Sequence, residues 1–302
     1  MNDHAATQRA LGIVKERIAQ SFGSWTRDTT LVQMRAGFDD LLANTLAADI
    51  QRISIGAMDA DWISAEATGN APVILYFHGG GYQIGSILSH RELMIRLSQA
   101  GRCRVLGFNY RLAPEHRFPA AVEDGITAYR WLLDQGLSAA DIAFAGDSAG
   151  AGLAVATMLK ARDLAMPLPH CAVLLSPWLD MEAMGETYLS RAEVDPMTQR
   201  DKILLMARAY LGKTGDPRDP LASPIHGDLS GLPPMLIHVG DHETVLDDSR
   251  VFAGKAKRAG CQVGLIVWDD MIHHFQVFNE LPQAQASIEA IGAFLKRQWG
   301  AR

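Results

Sequence analysis

Long apolar runs are missing from this chain: no segment stays hydrophobic for the roughly 20 residues that a bilayer-spanning helix needs. The first ten residues also lack a basic start followed by an apolar block. The expectation is a cytoplasmic protein with no membrane insertion. Cysteine is scarce. Cys103, Cys171 and Cys261 are odd in number and far apart, which excludes a disulfide framework and the paired spacing of a structural zinc site. They are expected as buried thiols. Positive charge is not in excess either: 28 basic against 34 acidic residues give a formal net charge of −6, with no basic run. Nucleic acid and anionic membranes are therefore poor partners. Internal repeats, low-complexity tracts and Gly/Pro/Ser-rich linkers are absent too.

What is present suits one large α/β domain, since 302 residues at 48% hydrophobic content can bury a substantial core. Short apolar runs at 73–77, 104–108, 142–145, 172–175, 235–239 and 263–267 read as buried strands of a parallel sheet. Helical stretches of crossover length lie at 87–100, 119–135, 149–163 and 245–259, with a last helix over 282–299. Two earlier candidate strands, 51–56 and 61–65, read as a hairpin with its turn at 58–61. The alternation breaks once, over 178–220, where 181–210 has a helical, polar-rich pattern. Residues 1–45 are helical in tone as well, with Leu31, Met34, Phe38, Leu41 and Leu42 near helical spacing. The expected organisation is a cap made of 1–45 and 178–220, over a core of 46–177 and 221–302.

The chemistry centres on Gly146-Asp147-Ser148-Ala149-Gly150, between an apolar strand and a small-residue helix. A serine at the apex of a strand–turn–helix is held out over the sheet in a strained conformation, with glycines two residues either side where side chains would collide. The helix behind it directs unpaired amides toward the hydroxyl. His78-Gly79-Gly80-Gly81 follows the first long apolar strand. If that loop lies beside Ser148, the amides of Gly80, Gly81 and Ala149 converge on one oxygen as an oxyanion hole. The glycine spacing does not fit a dinucleotide fingerprint.

A serine hydroxyl needs a base, and in this fold the base follows the last long strand. His273 occupies that place, with His274 as second choice. His78, His238 and His242 are expected to be structural. His238, His242 and Glu243 lack the helical spacing of a zinc-protease motif, so no metal is expected. The acid that orients the base should follow the preceding strand. Glu243 is favoured there, with Asp247 as the alternative.

Taken together, these segments resemble the hormone-sensitive-lipase-like family of α/β-hydrolase esterases, especially its small bacterial members. The likeness runs from His78-Gly79-Gly80-Gly81 through 110–116, 118–124 and 146–150 to 219–224, 231–234 and the late histidine segment. It implies an eight-stranded, mostly parallel sheet with a helical cap. It also implies Ser148 as nucleophile, His273 as base, and Gly80, Gly81 and Ala149 as oxyanion donors, with no cofactor. Many members have Asp-Pro-Leu at the acid position; Glu243-Thr244-Val245 resembles a branch that uses glutamate. Asp147 is expected to orient or support, and Glu115 and Asp124 to hold loops.

The expected activity is hydrolysis of short- to medium-chain carboxylic esters through an acyl-enzyme. A lactonase or amidase would use the same groups. A non-catalytic receptor resembling the family tends to have lost the histidine that this chain carries at 273. Phe22, Trp25, Tyr82, Trp178, Met181 and Met184 are the candidates for an apolar acyl pocket. The strand before His273 is expected near a sheet edge, where two copies could pair as a homodimer.

Overall fold

The short apolar runs of the sequence become the middle of a single sheet. The computed structural model describes residues 2–43, 46–65 and 71–300. Its strands are β1 (Asp49–Ile55), β2 (Met58–Ser64), β3 (Val73–Phe77), β4 (Arg104–Phe108), β5 (Ile142–Asp147), β6 (Cys171–Leu175), β7 (Met235–Gly240) and β8 (Val263–Trp268). They lie in the order β1-β2-β4-β3-β5-β6-β7-β8, and every neighbouring pair from β4 to β8 is parallel. All residues of β3, β5, β6 and β7 are buried, as strands covered on both faces require. β8, at the edge, alternates between half-buried and exposed positions over most of its length.

The helices are α1 (Asn2–Gly23), α2 (Leu31–Leu41), α3 (Arg91–Gly101), α4 (Ala120–Asp134), α5 (Ala149–Asp163), α6 (Thr187–Ser190), α7 (Arg200–Leu211), α8 (Leu246–Arg258) and α9 (Pro282–Gly300). Alternate side chains of β3 show how they divide. Val73, Leu75 and Phe77 enter a core shared with Ile126 of α4, Val155 of α5 and Phe252 of α8. Ile74 and Tyr76 face the other way, toward Leu93 of α3 and Ile291 of α9. Helix α5 is buried at every residue from Ala149 to Leu159, so it has no solvent stripe.

A third core forms above the sheet. Leu11, Val14 and Ile18 of α1 and Phe38 of α2 pack with Met197 and with Met271, Ile272, Phe275 and Phe278. The N-terminal helices thus bear on the loop that carries His273. A capping box opens α2: Thr30 N donates to Gln33 Oε1 at 2.8 Å, and Gln33 N to Thr30 Oγ1 at 3.3 Å. Arg35 then ties α2 down, donating to both oxygens of Glu115 at 2.8 and 2.9 Å and to Gln83 O at 2.8 Å. The expected boundary at residue 45 lies outside the described residues.

Two expectations are corrected. The hairpin turns at Gly56 and Ala57, because Ile55 pairs with Met58 and the expected turn residues 58–61 begin β2. Its aspartates misled: Asp61 is a strand residue, buried because Arg52 and Arg91 neutralise it at 2.5 and 2.8 Å. The 178–220 insert is less helical than its pattern suggests, with only α6 and α7 forming α-helix. Asp180 accepts from the amides of Glu182 and Met184, and Asp195 from those of Met197 and Thr198. Such side-chain bonds satisfy the backbone in turns instead.

Among the described residues no helix is long and apolar enough to cross a membrane. Cys103, Cys171 and Cys261 are buried free thiols.

Candidate active site

Strands β3 and β5 are neighbours, and Phe77 pairs with Gly146, so the loops leaving their C-terminal ends stand side by side. This is where the strand order reverses, the usual crevice of an open α/β sheet. Ser148 links β5 to α5 with φ +52° and ψ −123°, a conformation rare for a side-chain-bearing residue. The crowding inferred from the sequence is real. A Cβ on Gly146 would come within 2.7 Å of the Gly150 and Phe77 carbonyls, and one on Gly150 within 2.1 Å of Phe77 O.

His273 Nε2 lies 2.8 Å from Ser148 Oγ, across 125 residues of sequence. Its Nδ1 lies 2.9 Å from Glu243 Oε2. Glu243 sits just past β7, fully buried. Its Oε1 accepts from Ser176 Oγ at 2.7 Å and from the Gly240 amide. Burial pushes the Glu243 pKa up, against its hydrogen bonds. Burial also works against an imidazolium at His273, but the Glu243 hydrogen bond and charge outweigh it and raise the pKa. With Ser176, Gly240 and His273 all donating to it, Glu243 is the carboxylate of the pair and His273 Nδ1 keeps the proton.

The alternatives are placed elsewhere. Asp247 accepts from the Thr187 amide at 3.1 Å and lies 3.4 Å from Arg250. His274 turns from Ser148 to Asp147, with Nδ1 3.3 Å from Oδ2. His78 stacks on Tyr110 with ring centres 4.2 Å apart, and burial lowers its pKa to about 3. His238 bonds Ser287 at 2.7 Å, and burial lowers its pKa to about 4. His242 is near Asp241 and Asp270. Asp124 holds Arg111 at 2.8 Å.

Gly80 and Gly81 border the same cavity as Ser148 and His273, a space of about 330 Å³. Gly80 has φ +115°, and a Cβ there would lie 2.1 Å from Ile84 O. The chain doubles back at that point, with Gln83 N and Ile84 N donating to Gly80 O. Ala149 begins α5, where the first amides have no intrahelical acceptor. The chain belongs to the α/β-hydrolase family. The family match, described as an alpha/beta hydrolase fold, covers residues 74–277. An acetyl-hydrolase of Streptomyces hygroscopicus is 43% identical over 82% of this chain and 83% of its own. An esterase of Acinetobacter venetianus is 34% identical over 81% of each. A crystal structure described as an esterase from the bacterial hormone-sensitive lipase family has a TM-score of 0.91 at 44% identity, over 98% of this chain and 99% of that one. Within the α/β hydrolases, this chain is one of the bacterial hormone-sensitive-lipase esterases.

In this α/β hydrolase the cavity walls come from the N-terminal helices and the insert. Phe22, Trp25 and Trp178 line it. Tyr82 and Met181 do not. Tyr82 is buried and stacks on Tyr210 with ring centres 3.8 Å apart, and Met181 is core. Met184 is 69% exposed. Sequence reasoning missed Met34, Phe38, Met197, Ile203 and Met206 as lining residues. It also missed Ser176 and His90. Ser176 carried a signal, a polar residue at the end of a buried strand; His90 carried none beyond its identity.

Proposed function

We propose that this carboxylic-ester hydrolase is a serine esterase acting on short- to medium-chain esters through an acyl-enzyme. The carrying observation is His273, whose Nε2 is 2.8 Å from Ser148 Oγ while its Nδ1 is 2.9 Å from Glu243. His273 Nε2 takes the Ser148 proton as Oγ attacks the ester carbonyl. The amides of Gly80, Gly81 and Ala149 hold the resulting oxyanion. His273 then returns the proton to the leaving alcohol, and the acyl group stays on Ser148. Water enters with His273 again as base, the acid leaves, and Ser148 regains its proton.

The cavity of about 330 Å³ is at the low end of the roughly 300–1,000 Å³ usual for ligand pockets, which favours short and medium acyl groups. A relative named as an acetyl-hydrolase points the same way. Ser148→Ala should stay folded and lose about 10⁴- to 10⁶-fold in kcat on p-nitrophenyl acetate. Near-wild-type turnover by that variant would defeat the assignment. Rates over a series from acetate to laurate esters should peak below the longest chains, and the same panel with lactones and amides separates those activities.

A further inference from the structure

His90, immediately before α3, is completely buried behind the glycine loop. Its Nδ1 lies 3.0 Å from Ser89 Oγ and 3.2 Å from Ser86 O. The Ser86 carbonyl can only accept, so Nδ1 faces an acceptor there, and the Ser89 hydroxyl has Ser86 O within 3.0 Å as an acceptor of its own. On the other side, Nε2 lies 3.2 Å from Asp147 Oδ2. Asp147 accepts on Oδ1 from Tyr76 Oη at 2.7 Å and from the Gly79 amide at 3.0 Å, which marks it as ionised. The Gly79 amide also passes 3.3 Å from Nε2, but its shorter bond goes to the carboxylate. A ring whose two nitrogens both face acceptors carries both protons.

We propose that His90 is a positioning residue for the oxyanion loop: a buried imidazolium that holds the Asp147 carboxylate against the Gly79 amide and so fixes Gly80 and Gly81 beside Ser148. This rests on the reading of those two glycines as oxyanion donors. The fit at the clamp is close, since a Cβ on Gly79 would lie 2.1 Å from Asp147 Oδ2. The surrounding groups leave His90 as the cation. His78 on the β3 side is held neutral by burial, with its pKa near 3. His274, from the base loop, also has its pKa lowered by burial, and its Nδ1 reaches Asp147 Oδ2 only at 3.3 Å, without hydrogen-bond alignment. Tyr76 of β3 has its pKa raised by burial and remains a donor, while Arg96 of α3 acts on Tyr76. Asp39 of α2 is linked through Ser86 Oγ at 2.8 Å and adds a favourable charge. Burial alone would strip the proton from His90, but Asp147's charge and hydrogen bond outweigh it and raise the pKa. The cation also stands at a helix N-terminus, the end whose dipole disfavours it, so Asp147 carries the compensation.

Histidine-labelled protein tests this directly by ¹⁵N NMR. At neutral pH a buried ring with both nitrogens protonated and in contact with Asp147 should be present, distinct from any signal of His273, and it should vanish in His90→Gln. A neutral His90 ring, or an Nε2 without a proton because added zinc occupies His90, Asp147 and His274, overturns the proposal. The activity arm uses His90→Gln, which keeps a donor toward Asp147 without the charge. It should lower kcat about tenfold with KM within about twofold, and remove the alkaline limb of kcat. A wild-type kcat and alkaline limb in that variant would overturn the positioning role. If His90→Gln does not fold, the NMR of the unaltered protein still decides. If the unaltered protein hydrolyses no ester, the esterase reading fails while the protonation of His90 is still measured.

Discussion

Ser176 Oγ bridges the two loops that flank the imidazole: it donates to Glu243 Oε1 at 2.7 Å and accepts from the His274 amide at 3.0 Å. One hydroxyl thereby holds both the Glu243 carboxylate and the backbone beside His273. Ser176→Ala removes a donor from a buried carboxylate, a loss of about 1.5–3 kcal/mol in typical cases. Steady-state kinetics should show kcat down by about tenfold or more, with little change in KM. Unaltered kcat would mean that Glu243 is held well enough without it.

The two acids considered for the triad separate cleanly. Glu243→Gln keeps the shape but can present an N–H to His273 Nδ1, favouring the wrong tautomer. The expected loss in kcat approaches about 10⁴-fold. Asp247→Asn should stay within a few-fold of the parent, since Asp247 accepts from the Thr187 amide and does not contact His273. A larger loss from Asp247→Asn would reverse the assignment.

What could be read from the sequence follows from how tightly local backbone constrains residue type. Ser148 was legible because its turn crowds out side chains at Gly146 and Gly150, and that leaves a pattern. The buried strands were legible because both faces are covered, so they run apolar without alternation. Glu243 and Asp247 could not be ranked firmly, since both follow β7 and only packing decides which turns toward His273. His90 reaches Asp147 across 57 residues, a relation with no local trace. Tyr82 and Met181 were misjudged because an apolar side chain fits equally well against a cavity or against the core.

The pH profile should carry the His273–Glu243 interaction. In the proposed mechanism His273 serves as base only when neutral, and its pKa lies above the ordinary 6.5 because Glu243 outweighs burial. Activity should therefore be low in acid, with kcat/KM rising with pH through an apparent pKa above 6.5. In Glu243→Gln the carboxylate is gone and burial remains, so the limb of the residual activity should move to lower pH. A limb that stays in place would assign the titration to another group.

The last expectation concerns charge at the cavity. Among the described residues that line it, Lys202 is the one with a permanent charge, and the remainder are mostly apolar or neutral. It is exposed, in the first turn of α7, so its field acts through solvent and is screened by salt. An ester carrying a distal carboxylate should therefore gain chiefly in KM. Comparing p-nitrophenyl hemisuccinate with the neutral p-nitrophenyl butyrate, Lys202→Glu should raise KM for the anionic ester by about three- to tenfold and leave the neutral one nearly unchanged. The difference should shrink in about 1 M salt, where the screening length is near 3 Å. Equal effects on both esters would mean that Lys202 shapes the entrance through its alkyl stem rather than its charge.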